Sequence, residues 1–387
     1  MKKRKDGLYA SQVYLGKEDG KRKYKTVYGA TQKEVKVKVA ELKLKQGKGI
    51  DIAAADDSFG VWADRYVERK KAQNLSASYI IQIENERRHL RALDELPISK
   101  VTINNLQVLI DRLTRHHDGR GPLSKRTIIG IIHTANQVFR LAIASRAIEY
   151  NPAEYVIVPG GVDPMKREAL NDEQQEWVRT VSHRAQRAAM IMMYAGLRRG
   201  ELLALTWADV NLKEKTITVK KAVAFEKGKP INKDSTKTDA GMRVVSIPDI
   251  LASHLKAERV ADDCIYVVHT NDGRQLSKSG WRRLWESYMA EINLKIGYAQ
   301  DDRVHSRFHP SKLEMRIDPF TPHQLRHTFC SIMYMAGVDV MTARDQMGHS
   351  DIKTTLQIYT HLDKKHKKKS IQKMNGYLCK YDASNGT

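Results

Sequence analysis

The stretch TPHQLRHTF, residues 321–329, sets His323 and His327 one helical turn apart with Arg326 between them. Two histidines at i and i+4 are half of a zinc site, whereas an arginine flanked by imidazoles is half of a phosphate site. Zinc needs three or four suitable ligands, and HQLRH lacks the glutamate of an HExxH helix. Its arginine would also repel a cation. His305, His309 and His361 complete a metal set only on paper, since nothing in the sequence fixes their geometry. The phosphate reading is therefore preferred, with no metal and no cofactor expected.

Three further stretches carry matching chemistry. AGLRRGELLALTW puts Arg198 beside Gly196 at a helix end, with Glu201 three residues on. DSTKTDAGMRVVSIP puts Lys237 in a polar turn between strands. MGHSDIKTTLQIYTHL supplies His349 and, ten residues later, Tyr359. A phosphodiester under in-line attack spreads negative charge over its non-bridging oxygens. Two arginines can each present a two-pronged fork to them. Histidines donate further hydrogen bonds or move protons, and a lysine can protonate the leaving alkoxide. Tyrosine is the nucleophile that remains. With a reference pKa near 10, about one part in a thousand is ionised at pH 7, a cost of roughly 4 kcal/mol. Nearby cations or a base must offset that cost. His327 reads as a supporting residue and Arg199 as a surface or DNA-backbone contact.

These residues need scaffolding, and a chain of 387 residues predicts two or three domains. A hydrophobic share of 41% is enough to build their cores, while a net charge of +22 suits a protein that docks on a polyanion. Residues 1–50 hold 15 Lys and Arg against 5 Asp and Glu, so nearly half the excess charge lies in about an eighth of the chain. GLYASQVYLG and KRKYKTVYG predict two strands joined at KEDG, and Thr31 with Glu34 predicts a capped helix to about Gln46. This basic unit, with Tyr9, Tyr14, Tyr24 and Tyr28 interleaved, suits DNA binding. GKGIDIAAADD is expected to be a linker. Residues 57–155 predict an all-helical domain, with a long helix capped by Ser124 and an exit at NPAEYVIVPGG. Arg87, Arg88, Arg112, Arg115, Lys125 and Arg126 could face phosphates there. From about 168 a third domain runs to 387. It opens on an Asn171–Gln174 capping box and a buried-looking helix, RAAMIMMYAG. Strands are expected at KTITVKKAV and GMRVVSIP, then a helix around 277–294, an irregular insert at 297–318, and the HQLRH region.

The cysteines, Cys264, Cys330 and Cys379, form no CxxC pair and predict a reducing compartment. No signal peptide or membrane span is expected. The fold class is multidomain α+β: a small sheet-plus-helix unit, an all-α domain, and a mostly α domain with a small antiparallel sheet. The tail, with Ile371, Met374, Tyr377 and Leu378 at near-helical spacing, is expected to pack on a neighbouring protomer.

The order Arg198, Lys237, His323-x-x-Arg326, His349, Tyr359 resembles the tyrosine recombinases of the phage and conjugative-transposon integrase type. It spans about 160 residues, and HQLRHTF followed by MGHSDIKTT and YTHL is its most specific part. The resemblance implies that Arg198 and Arg326 clamp the scissile phosphate and that Lys237 is the acid toward the leaving 5′-oxygen. It further implies that His323 and His349 contact the phosphate or move protons, that Glu201 braces the site, and that Tyr359 forms a 3′-phosphotyrosyl bond. His349 to Tyr359 is one residue longer than in many relatives. Residues 1–50 are similar to the family's arm-type DNA-binding domain and 57–155 to its core-binding domain, with 168–387 as the catalytic domain. The implied protein is a cytoplasmic, DNA-associated bacterial enzyme that integrates or excises a mobile element without ATP. Its implied partners are double-stranded DNA at core and arm sites, a homotetramer in the synapse, and an excisionase or DNA-bending protein. A type IB topoisomerase, a non-catalytic DNA-binding regulator and a metal-dependent nuclease are the competing readings.

Overall fold

A computed structural model describes residues 3–18, 21–73, 75–115, 121–158, 168–226, 228–234, 242–260, 263–299, 313–349, 351–353, 355–356 and 358–360. Lys237, most of the 297–318 insert, the segment 361–387 with His361, and Cys379 lie outside these residues. The chain divides into two compact units, Met1–Lys166 and Arg167–Thr387.

In the first unit, β1 (Tyr9–Glu18) and β2 (Lys21–Gly29) form the expected antiparallel hairpin, with an irregularity between Tyr14 and Gly16. Helix α1 (Gln32–Gly47) crosses it, and Val13, Val27 and Val35 are buried. Thr31 accepts from the Glu34 N–H at 3.1 Å, while the Glu34 carboxylate reaches back to Ala30 N–H at 2.8 Å. The linker expected after Gln46 is instead partly α2 (Ile52–Asp56). Asp51 caps it by accepting from Ala54 N–H, and Ile52 and Ala55 turn inward. Lys25–Asp56 and Lys48–Glu149 ion pairs, and an Asp51 N–H to Arg146 carbonyl bond, join the hairpin region to the helices. That is why residues 1–50 and 57–155 stand in one unit.

The helices are α3 (Phe59–Lys71), α4 (Ala77–His89), α5 (Ile103–Arg115) and α6 (Lys125–Ala144), packed around Phe59, Leu90, Ile110, Ile131 and Phe139. Ser124 caps α6. By length and composition α6 could cross a bilayer, but its Ile128, Ile131, Val138 and Phe139 stripe is core. Arg87, one of the arginines that could face phosphates, is turned inward: its fork grips Asp94 at 2.8 and 3.1 Å and its Nε donates to Asp64.

The second unit begins at α7 (Asp172–Thr180), with both halves of the Asn171–Gln174 capping box formed. Helix α8 (Gln186–Tyr194) is buried along its whole length. Around it pack α9 (Arg199–Ala204), α10 (Asp249–Val260), α11 (Lys278–Ile292) and α12 (Pro322–Met335). β3 (Val210–Asn211), β4 (Thr216–Val219) and β7 (Arg243–Ser246) make a three-stranded antiparallel sheet in the order β3-β4-β7. KTITVKKAV is not one strand. It breaks at Lys220, whose ammonium turns to Asp209 at 3.0 Å, and resumes as β5 (Lys221–Glu226). β5 pairs with β6 (Lys229–Asp234) in a separate hairpin inside the expected loop. Helix α13 (Val340–Met347) follows α12 and ends at Gly348. Residues 352–353, 355–356 and 358–360 are helical.

Candidate active site

The α8–α9 corner creates the first half of the site. Gly196 has φ +63°, and a Cβ there would lie 2.2 Å from the Phe329 ring, so only glycine lets α12 approach. The chain then turns into α9, placing Arg198 just before its first residue. Glu201 accepts from Arg198 N–H at 2.9 Å and from Arg198 Nη1 at 2.8 Å, which aims the guanidinium.

Helix α12 supplies the second half. Arg326 is buried, with Nη1 donating to the Gly196 carbonyl and Nη2 to the Met347 carbonyl at 2.5 Å. Arg198 Nη2 donates to the next carbonyl, Gly348, at 2.6 Å. Arg243, from β7, donates through Nε to the preceding one, Gln346, at 3.0 Å. Three arginines from three elements thus hold three successive carbonyls at the C-terminal end of α13. Those carbonyls have no partner within the helix and carry its negative dipole end, so cations suit them. Gly348, at φ +62°, lets the chain leave the helix there.

His349 follows directly. Its Nδ1 lies 2.8 Å from Thr355 Oγ1, a buried hydroxyl that sequence reading did not single out. Burial, then the charges of Arg326 and Arg198, hold His349 down at about 4, so its imidazole is neutral at pH 7. His323 and His327 meet edge to face, with ring centroids 4.5 Å apart. Burial, then His323 and Arg326, likewise push His327 down to about 4. Burial lowers Arg326 from its ordinary value, helped by Arg198 and Arg243, yet it stays charged at neutral pH. Burial would raise Glu201, but the hydrogen bonds and charge of Arg243, then those of Arg198, overcome it and hold the carboxylate at about 2.

Arg198, His323, Arg326 and His349 all line one cavity of about 1130 Å³, whose other walls include Trp281, Trp285, Lys278 and Arg282 of α11. Arg199 lines it too, with its guanidinium over the Phe225 ring. Arg243 was missed in the sequence because a charged residue beside an apolar run, RVVSIP, ordinarily faces solvent. Its one signal was that position, at the head of a short strand whose Val245 is buried. Among the described residues, no three or more His, Cys, Asp and Glu side chains converge as metal ligands.

Tyr359 does not join the cavity. The polar flanks KTTLQ and TH would suit an exposed or segment-borne residue. Instead its ring packs edge-on against Tyr334, centroids 5.0 Å apart, beside the buried Phe329, Cys330, Met333 and Met347. Its hydroxyl donates to the Val338 carbonyl at 3.2 Å. Burial, then Cys330, Asp339 and Tyr334, push its pKa up to about 12. Tyr334 is eight residues past Arg326 on α12, about 12 Å along the axis at 1.5 Å per residue.

Residues 162–366 match the phage integrase family. The chain is 24% identical over 386 residues to a XerC-like tyrosine recombinase of Caldanaerobacter subterraneus, with 95% of each chain covered. It is 22% identical to the ICEBs1 integrase of Bacillus subtilis, covering 68% of this chain and 69% of that one. Among solved structures, the Tn1549 transposon integrase in complex with transposon right end DNA superposes at TM-score 0.62 and 20% identity, over 78% of this chain and 94% of that one. A lambda integrase tetramer bound to a Holliday junction superposes at TM-score 0.56 and 15% identity, over 92% and 93%.

Proposed function

The chain belongs to the phage integrase family of tyrosine recombinases, enzymes that break and rejoin DNA at specific sites, and from that premise we propose how its own residues act. Arg198 and Arg326 clamp the scissile phosphate, and Tyr359 attacks it. The observation that carries this reading is the convergence of both guanidiniums, His323 and His349 on one cavity. A guanidinium has five N–H donors. Each of these arginines uses two in the bonds described above, leaving donors for phosphate oxygens.

Tyr359 leaves its contact with Tyr334 and Val338, enters the cavity, and attacks phosphorus in line. The Tyr–O–P bond forms as the P–O5′ bond breaks. His323 or His349, neutral at pH 7 in the case of His349, accepts the tyrosyl proton, and Lys237 donates one to the departing 5′-oxygen. The arginines stabilise the charge that develops on the non-bridging oxygens. Because the phosphotyrosyl bond keeps the energy of the broken phosphodiester, a 5′-hydroxyl from the partner strand can reverse the step without ATP. His327 supports His323 across their edge-to-face contact.

Residues 1–50 bind arm-type sites and 57–155 grip core sites, the basic hairpin and helical bundle providing the surfaces. Four protomers assemble on two duplexes, as lambda integrase does on a Holliday junction, with an excisionase or DNA-bending protein setting direction. The setting is the bacterial cytoplasm, on DNA.

The test is recombination of a supercoiled plasmid carrying both element ends, in EDTA. Recombinant circles support the reading. Relaxation of site-free plasmid with no recombinants would favour a topoisomerase, and loss of cleavage in EDTA would favour a metal-dependent nuclease.

A further inference from the structure

We propose that Arg243 is a positioning residue for strand cleavage, locking Glu201 and the end of α13 into one frame so that Arg198 and His349 address the same phosphate. This rests on the assignment of Arg198 and His349 to the phosphate site.

Arg243 is almost fully buried, at 7% side-chain exposure, and is not among the residues lining the cavity. Its fork meets Glu201 through both prongs: Nη1 to Oε1 at 3.1 Å and Nη2 to Oε2 at 2.8 Å. Each carboxylate oxygen of Glu201 therefore accepts twice, once from Arg243 and once from Arg198. A carboxylate has about four acceptor positions, so Glu201 is saturated and its orientation fixed. The third Arg243 donor, Nε, holds the Gln346 carbonyl. β7 is tied to α13 a second time, where Ser246 N–H donates to Gln346 Oε1 at 3.0 Å. Gly348 lies directly against the guanidinium, since a Cβ there would be 2.8 Å from Arg243 Nη1. One side chain thus sets the brace of the Arg198 clamp and the helix end that delivers His349.

Lysine cannot reproduce three bonds in a plane. Arg243→Lys should bind attachment-site DNA with a Kd within about threefold of the parent. Its single-turnover rate of covalent adduct formation on a nicked duplex should fall about 10- to 100-fold, the scale expected when reacting groups shift by about 1 Å. A second readout separates positioning from general stability. Arg198, Arg243 of β7 and Arg326 of α12 are the charged groups that act on Glu201, while the charged residues of β5, Lys221 and Glu226, are exposed. With Arg243 present, Glu201 stays ionised and cleavage should show no Glu201-dependent acid limb above pH 5. In Arg243→Met the carboxylate loses its strongest partner, and cleavage should acquire an acid limb that vanishes in Arg243→Met/Glu201→Gln.

The proposal is overturned if Arg243→Lys slows cleavage only in proportion to its unfolded fraction, read from thermal unfolding. It is equally overturned if Arg243→Met, once corrected in the same way, keeps the parent's pH profile. Arg198→Lys is measured alongside. If it cleaves normally, the phosphate-clamp reading itself is at fault; if it is inactive while the Arg243 variants cleave normally, only this inference fails.

Discussion

Substituting Tyr334 with leucine should speed covalent attack. Tyr359 rests edge-on against Tyr334, rings 5.0 Å apart with planes at 69°, and its hydroxyl holds the Val338 carbonyl. There it lies outside the cavity that Arg326 lines. Cleavage therefore draws on the fraction of molecules in which the tyrosine has left this contact. An edge-to-face aromatic pair is worth about 0.5–1.5 kcal/mol beyond the area it buries. Leucine keeps apolar bulk beside Phe329 and Met333 but removes that increment. If the docked position dominates, the released fraction should rise about 2- to 12-fold, at 1.4 kcal/mol per factor of ten. The assay is single-turnover adduct formation on a nicked attachment-site duplex at saturating protein, with DNA affinity measured separately. Tyr334→Phe, which keeps the ring pair, should stay near the parent rate. An unchanged or slower rate for Tyr334→Leu, at unchanged affinity, would refute the reasoning.

Three other outcomes are expected. Arg326→Lys replaces a buried fork with a point charge, so adduct formation should fall about 100-fold or more while a gel-shift affinity changes little. Gly348→Ala meets both a left-handed φ of +62° and the Arg243 guanidinium, a penalty of about 1 kcal/mol or more, so the melting temperature should drop by about 2–4 °C. Burial lowers His183, His254, His327 and His349 below the ordinary histidine value. The unfolded chain then binds more protons than the folded one below about pH 6.5. Stability should be fully present above that value and be lost progressively as pH falls toward about 4, where His327 and His349 titrate, and a melting series from pH 7.5 to 4.5 would show it.

Local signals were legible where one residue decides the outcome. Asn171 with Gln174, Ser124 and Thr31 each mark a helix start because a side-chain oxygen satisfies a nearby N–H. HQLRH stood out because a guanidinium and two imidazoles on one helix turn have few other uses together. What stayed hidden depends on partners far along the chain. KTITVKKAV divides at Lys220 because its two halves pair with different strands, β7 and β6. Ile52 and Ala55 made a helix of an apparent linker by finding a core to enter. Arg243 looked like a strand's exposed charge until Glu201 and Gln346, 42 and 103 residues distant, met it. The resting place of Tyr359 follows from Tyr334 and Val338, which no spacing rule connects to it.

The central claim is that Tyr359 becomes the covalent link to DNA. The most direct measurement is to trap the adduct on a nicked attachment-site duplex, digest it, and locate the nucleotide-bearing peptide by mass spectrometry. The modification should fall on Tyr359, and Tyr359→Phe should give no SDS-stable adduct although it still binds the DNA. An adduct that persists in Tyr359→Phe, or that maps to another residue, would contradict it.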